Sequence, residues 1–376
     1  MRDVFFALLL WVAVAVAVAG AGARPAASAV KGAYWPTWLT STFPPSSIDT
    51  SYFTHLYYAF LQPDPATFRL TVTESDDIWM YKFNSDLHHC RNPVRTVLSM
   101  GGGGSNGTLF ALIAASPSNR CDFIESTIAT ARKYGFDGID LDWEYPADQK
   151  EMDDLGLLLD EWRVAIEKEA RATGRPRLLL TAAVYYSVVN PMDGITRTFP
   201  AGSISRNLDW INAMCFDYRG GWNTTVTGAH AALYDPGSDI STSKGIASWV
   251  DAGVPREKIV MGLPLFGHTW KLKDPRVNGI GAPAVSVGPG DEGTMSFAEI
   301  VDFNKENGAS VVYDKATVST YSYVGASWIG YDGPKSVRKK IKFARAQSLR
   351  GYFFWAVAGD KEWKISRQGN TPYQRT

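Results

Sequence analysis

The sequence predicts a closed parallel (β/α)8 barrel carrying a small α+β insertion between its seventh strand and the helix that follows. Three observations lead there. Eight short apolar runs read as buried strands, helical stretches fall between them, and one interval is far longer than the rest.

The strand-like runs are Gly32–Trp35, Leu56–Phe60, Val94–Met100, Gly138–Trp143, Leu178–Val184, Ile211–Phe216, Ile259–Leu263 and Tyr352–Ala356. The clearest helical stretches are Asn119–Tyr134, Met152–Ala172, Ser243–Ala252 and Ser336–Ser348, each between two of the strands. Gly135, Gly174, Gly253 and Gly351 lie near helix ends, where glycine is favoured. About ninety residues separate the seventh and eighth strands, against connections of a few tens in an ordinary unit of this fold. Within that interval Phe297–Glu306 reads as a helix, and Ser310–Tyr313, Thr320–Val324 and Ser327–Tyr331 read as short strands. The insertion is therefore expected over about 271–332, where it would form one wall of a cleft. An open doubly wound sheet is the alternative, but no dinucleotide signature follows the first strand.

Composition is that of a globular chain: 376 residues, 45% hydrophobic and 20% charged. The 38 basic and 38 acidic residues cancel, so neither nucleic-acid binding nor an acidic tail is expected. Aromatic residues are plentiful, with 13 Trp, 17 Tyr and 18 Phe. Flat rings suit the apolar C–H face of a sugar as well as a core. At the N-terminus Arg2 precedes an apolar run from Val4 to Ala19, and Ala27-Ser28-Ala29 fits a signal-peptidase site. Residues 1–29 read as a signal peptide and 30–376 as one catalytic unit. The apolar run, about 16 to 20 residues, is short for a membrane span, so a secreted, monomeric chain with no membrane contact after cleavage is expected. Three cysteines leave at least one unpaired within the chain. Cys215 reads as a buried thiol, and Cys90 and Cys121 as too far apart to bond. Asn106 and Asn223 open glycosylation sequons.

Chemistry concentrates in "FDGIDLDWEYP", residues 136–146. Ile139, Leu141 and Trp143 alternate at period two, and so do Asp140, Asp142 and Glu144. Residues two apart in a strand share a face, about 6–7 Å apart. In a barrel the apolar row packs on helices, and the carboxyl row points inward and ends at the C-terminal mouth, where active sites of this fold lie. Buried neighbouring carboxyls raise one another's pKa and share protons. Glu144, the outermost, is thereby suited to act as a general acid near neutral pH. Carboxylates satisfied by buried donors, or holding a hard cation, are the other readings of such a row. Only five His are present, with no HExxH or CxxC spacing, so neither metal nor cofactor is expected.

"DGIDLDWE", Asp137 to Glu144, resembles the DxxDxDxE signature of family 18 glycoside hydrolases in all four acids. "LSMGG" from Leu98 to Gly102 resembles that family's S-x-G-G strand, and "GAYW", "MCFD", "GLPLFG" and "GYFFWA" fit the first, sixth, seventh and eighth strands in order. The likeness covers nearly all of residues 30–370, and the insertion with its "SWIGYD" looks like plant class V chitinases. The resemblance implies retaining hydrolysis of chitin or β-1,4-linked N-acetylglucosamine oligosaccharides by a substrate-assisted route. It makes Glu144 the acid and base, Asp142 the partner of the substrate acetamido group and Asp140 the residue that shares a proton with Asp142. It makes Trp355 the floor under the cleaved sugar, with Tyr34, Phe60, Tyr145, Met214, Phe216 and Asp217 around it. Gly101 and Gly102 would let backbone run close to the sugar, and Trp328 would be a stacking platform. Secretion would lead to the wall space or, through a further signal, the vacuole.

Two departures stand out. The family usually has Tyr where this chain has Phe216, and Y-G-R where it has Phe266-Gly267-His268. These remove a hydroxyl donor and a fixed positive charge. A chitooligosaccharide-binding lectin with weak or no hydrolysis is therefore the rival reading, and an inhibitor built on the same scaffold a second. The intact acid row argues for the enzyme. "GGGGSNG", 101–107, also contains GxGxxG and GxSxG, but it follows the third strand, and no His is marked as partner to Ser105.

Overall fold

A computed structural model describes residues 29–370; the expected signal segment lies outside the described residues except for Ala29. Eight parallel strands close into a ring. They are β1 (Val30–Pro36), β2 (His55–Pro63), β3 (Arg95–Gly101), β4 (Gly138–Asp142), β5 (Leu179–Tyr185), β6 (Trp210–Met214), β7 (Ile259–Pro264) and β8 (Gly351–Trp355). Each pairs with the next, and β8 pairs with β1, which leaves the barrel no open edge.

Eight helices accompany the strands among the described residues: α1 (Glu74–His88), α2 (Gly107–Ala115), α3 (Pro117–Tyr134), α4 (Gln149–Thr173), α5 (Ala201–Asn207), α6 (Thr242–Asp251), α7 (Phe297–Glu306) and α8 (Pro334–Ala346). All but α7, which belongs to the insertion, lie between barrel strands; α2 and α3 share the interval between β3 and β4, and short 3-10 turns stand in for a helix between β1 and β2. No described helix is long and apolar enough to cross a membrane. A capping box between Thr73 and Asp76 starts α1. Left-handed Gly135 and Gly174 close α3 and α4. Gly351 has a different task from the helix cap expected of it. It opens β8, where a Cβ would lie 1.9 Å from the Val30 carbonyl oxygen; Ser348 takes the left-handed position after α8.

The period-two pattern divides the strands into two cores. Trp35, Tyr58, Leu98, Ile139, Leu141, Leu180, Ile211, Met261 and Phe354 pack outward against the helices. Tyr34, Tyr57, Val97, Trp210, Val260 and Phe353 fill the barrel interior. Aromatic rings inside leave little room for water, so polar groups placed there must find partners in one another.

The insertion is an antiparallel sheet in the order Ala284–Val287, Phe266–Leu272, Ser327–Tyr331, Ser319–Val324, Ser310–Asp314, with Thr294–Ser296 also paired to Phe266–Leu272. Its strands begin at Phe266, earlier than the expected 271, because only Leu265 separates β7 from the new sheet. The Leu265 N–H donates to the Trp355 carbonyl at 2.7 Å, which ties the insertion to the mouth of β8. Trp270, Leu272, Ala282, Ala284 and Trp328 form its own core. Cys90, Cys121 and Cys215 are all free thiols, and Cys215 is buried. Asn106 and Asn223 are both exposed.

Candidate active site

β4 places Asp140 and Asp142 inside the barrel, both buried, and Glu144 just beyond its end. Asp140 is fully enclosed. Its Oδ2 accepts from the Tyr34 hydroxyl at 2.9 Å and the Ser99 hydroxyl at 2.7 Å. Its Oδ1 accepts from Thr181 at 2.5 Å and Asn212 Nδ2 at 3.4 Å. Burial pushes its pKa up and these four donors pull it back, with burial prevailing. Beneath, Asn212 also donates to the Tyr34 hydroxyl at 2.9 Å, and Trp210 Nε1 donates to the Tyr57 hydroxyl at 3.1 Å. The innermost acid is thus locked by a polar network that fixes its orientation.

Asp142 is less provided for. Its Oδ1 is buried with no hydrogen-bond partner among the described residues. Burial, then the charges of Glu144 and Asp140, hold its carboxyl well above the usual range. Glu144 is pushed up to about 7, by burial first and by the Asp217 carboxylate second. One row therefore holds protons that ordinary carboxyls release near pH 4.

A cavity of about 680 Å³ opens over this row. Tyr34, Asp142, Glu144, Tyr145, Met214, Phe216, Asp217 and Trp355, all expected from the sequence, line it. Non-proline cis peptide bonds join Ala59 to Phe60, Glu144 to Tyr145 and Trp355 to Ala356 around the cavity. Phe60 does not line it. Its ring stacks on Trp355 at 5.6 Å and 18°, so it supports the indole.

Two further expectations need correction. Trp328 is no exposed platform: it is buried in the insertion, stacked on Tyr321 at 5.3 Å, with its Nε1–H donating to the Asn278 carbonyl at 3.0 Å. Gly101 and Gly102 do not face the cavity either; Gly103 does. A Cβ on Gly101 would lie 2.0 Å from the Asp142 carbonyl oxygen, and one on Gly102 would lie 2.4 Å from the Phe60 ring. Both have positive φ, at 107° and 86°. These glycines let the chain after β3 lie against β4 and Phe60, and so shape the site from behind.

The structure adds residues that sequence reasoning missed. Trp222 is 65% exposed and lines the cavity, and Trp38 is 62% exposed beside Trp355, 6.4 Å between rings. Trp38 sits in the short 3-10 turn Thr37–Leu39 after β1 and Trp222 in a turn after β6, where no periodicity marks them. Arg197 is buried and donates to the carbonyls of Pro146 at 2.6 Å, Met192 at 2.7 Å and Ile195 at 3.0 Å. It thereby joins the loop after Glu144 to the wall carrying Met192 and Asp193. Asp217 adopts left-handed backbone (φ 60°) and accepts from His268 Nε2 at 2.7 Å. Desolvation by the protein around its half-exposed carboxylate would raise its pKa, but His230 and His268 bring it down to about 2, so it stays charged beside a protonated Glu144.

The sequence model of the glycosyl hydrolases family 18 matches residues 31–360. The chain is 52% identical over 350 residues to class V chitinase CHIT5 of Lotus japonicus, covering 93% of this chain and 87% of that protein. It is 51% identical over 346 residues to Nod factor hydrolase protein 1 of Medicago truncatula, covering 91% and 89%. Among solved structures, a glutamate-to-glutamine mutant of the class V chitinase from Nicotiana tobaccum in complex with NAG4 superposes with a TM-score of 0.88 at 40% identity, covering 92% of this chain and 99% of that one. A closed eight-stranded barrel with a buried acid row at its C-terminal mouth, and these likenesses over almost its whole length, lead to one conclusion: the chain belongs to the glycosyl hydrolases family 18 and is a glycoside hydrolase.

Proposed function

We propose that this protein is a chitinase that hydrolyses β-1,4-linked N-acetylglucosamine polymers or oligomers with retention at the anomeric carbon. The observation that carries the reading is Glu144, held protonated to about pH 7 at the head of the Asp140–Asp142 row and facing the cavity. Relatives named as class V chitinases, and a solved relative holding NAG4, support the substrate class.

In this reading a sugar lies over Trp355 with its glycosidic oxygen at Glu144. Glu144 gives its proton to the leaving oxygen as the C–O bond breaks. The acetamido carbonyl oxygen of the same sugar forms the new bond to the anomeric carbon, which yields an oxazolinium ion. Asp142 accepts the acetamido N–H and balances the developing positive charge. Its unpartnered Oδ1 is free to take such a donor. Asp142 is ionised at that moment because its proton passes to Asp140, whose own raised pKa lets it hold the proton until the cycle returns it. Glu144, now ionised, takes a proton from water as the water attacks the anomeric carbon and the oxazoline ring opens. Two inversions leave the configuration retained. Asp217, charged at working pH, accepts from sugar hydroxyls, and Tyr34, Tyr145 and Met214 border the same sugar. We further propose that the chain is secreted after cleavage near Val30, to the extracellular space or onward to the vacuole.

Hydrolysis of the N-acetylglucosamine hexamer by the mature protein, beside Glu144→Gln, tests the assignment. Wild-type cleavage is expected, with a loss of at least 100-fold in the variant. Binding without cleavage by both proteins would overturn it in favour of an oligosaccharide-binding lectin.

A further inference from the structure

The fold brings three donors together at one side of the cleft: Asp217 after β6, His230 further along the same loop and His268 in the first strand of the insertion. His268 Nε2 lies 2.7 Å from Asp217 Oδ1, and His230 Nδ1 lies 3.8 Å from the same oxygen. One donor atom from each residue falls within 4.8 Å of the other two. His230 supplies the second, independent observation. It is 1% exposed, and both its ring nitrogens are buried with no hydrogen-bond partner among the described residues. A buried imidazole with neither nitrogen satisfied departs from the rule that buried polar groups are paired. Asp217, with 45% of its side chain exposed, gives the trio an opening to solvent.

We propose that Asp217, His230 and His268 form a binding site for a divalent ion of the zinc class, and that an ion there inhibits the enzyme. Two imidazoles and one carboxylate suit zinc, cobalt, nickel and copper rather than magnesium or calcium, which prefer oxygen. With bonds of about 2.0–2.1 Å, donors around a tetrahedral ion stand roughly 3.3 Å apart. His268 and Asp217 must therefore open slightly, and His230 must close by about 0.5 Å on Asp217 and by no more than about 1.5 Å on His268. Three protein donors leave a fourth position toward the exposed side of Asp217. The family's usual residue at His268 is arginine, which cannot ligate, so the site is a property of this chain's departure from the pattern. The inhibitory half rests on the proposed function. Asp217 and Glu144 line one cavity, so a bound ion removes the Asp217 carboxylate from substrate and places positive charge where the acid must work. The binding half stands without that reading.

Metal-free protein is titrated with zinc chloride by calorimetry, and with cobalt chloride by visible absorption. Magnesium chloride serves as the control. The expected result is one zinc ion per chain in the micromolar range or tighter, and d–d bands of a low-coordinate cobalt site. His268→Arg and Asp217→Asn should each weaken binding at least tenfold, while changing the remote pair His88 and His89 to Ala should not. Folding of every variant is checked by its melting temperature. Hexamer hydrolysis should fall with zinc at the calorimetric midpoint and return with EDTA. Absence of saturable zinc binding, or binding that survives both His268→Arg and Asp217→Asn, overturns the site. Zinc bound with hydrolysis unchanged overturns the inhibition. A protein that binds zinc but never cleaves the hexamer confirms the site and sinks the functional reading instead.

Discussion

At the scale of single residues, the site is complete in its acids and altered in its donors. Phe216 lines the cavity beside Asp217, packed against Phe266 and Phe353, with ring centroids 5.8 and 6.2 Å away. Gly262 makes room for it: a Cβ there would lie 2.9 Å from the Phe216 ring. The aromatic shape is therefore kept while the hydroxyl of the usual family tyrosine is gone. In the proposed mechanism that hydroxyl would donate to the acetamido oxygen as it attacks. A preorganised donor of this kind contributes about 1–3 kcal/mol to the transition state. Phe216→Tyr is expected to raise kcat on the hexamer by about tenfold, corresponding to about 1.4 kcal/mol, with little change in KM. Steady-state kinetics decide it. An unchanged or lower kcat would mean that the native site supplies this donor elsewhere.

At the scale of elements, β4 carries both the function and a cost in stability. Its alternation was legible in the sequence because period two is strict: Ile139 and Leu141 face helices while Asp140 and Asp142 face the interior. The folded state holds the Asp142 pKa above its unfolded value, mainly through burial. A carboxyl raised in this way binds its proton more tightly folded than unfolded. Stability therefore falls as pH rises from the ordinary carboxylate range near 4 through the raised folded value. Asp142→Asn cannot ionise and escapes that loss. Its melting temperature relative to wild type is expected to be near zero shift at pH 4 and higher by about 2 °C or more at pH 8. Scanning calorimetry across that range checks the slope. A gain independent of pH would assign the effect to packing or hydrogen bonding instead. Other elements were less legible. α1 mixes aromatic and polar residues without a clean apolar stripe, so only its capping box announces it. Trp328 sits in a strand whose two faces are both covered, and sequence alone cannot tell an indole under a sheet from one above it. The Asp217, His230 and His268 trio has no spacing to detect, because the barrel and the insertion assemble it from separate segments.

At the scale of the whole molecule, the cleft is a property of the closed ring rather than of any one strand. Trp38 follows β1, Trp222 follows β6, and Trp355 ends β8, so three indoles are distributed around one mouth. Trp38 stands beside Trp355 at 6.4 Å, whereas Trp222 lies by the insertion, its ring 5.4 Å from that of His268. Large exposed rings on a soluble surface call for a ligand when they rim a cavity. Under the proposed function, the arrangement fits a sugar chain several units long that runs from Trp38 over Trp355 and past Glu144 to Trp222. Each flanking indole then acts only on substrates long enough to reach it. Covering such a ring with a sugar face is worth about 1.4 kcal/mol, or roughly tenfold in affinity. Trp38→Ala and Trp222→Ala are each expected to raise KM for the hexamer by about tenfold, while leaving turnover of the shortest cleavable oligomer within about twofold. Both side chains are exposed, so stability should barely move. The additivity of the two changes is informative as well. If the indoles bind separate sugars, the double variant should raise KM by roughly the product of the single effects. Equal losses on long and short substrates would instead mean that both rings act on the cleaved sugar itself, and the extended path across the mouth would have to be abandoned.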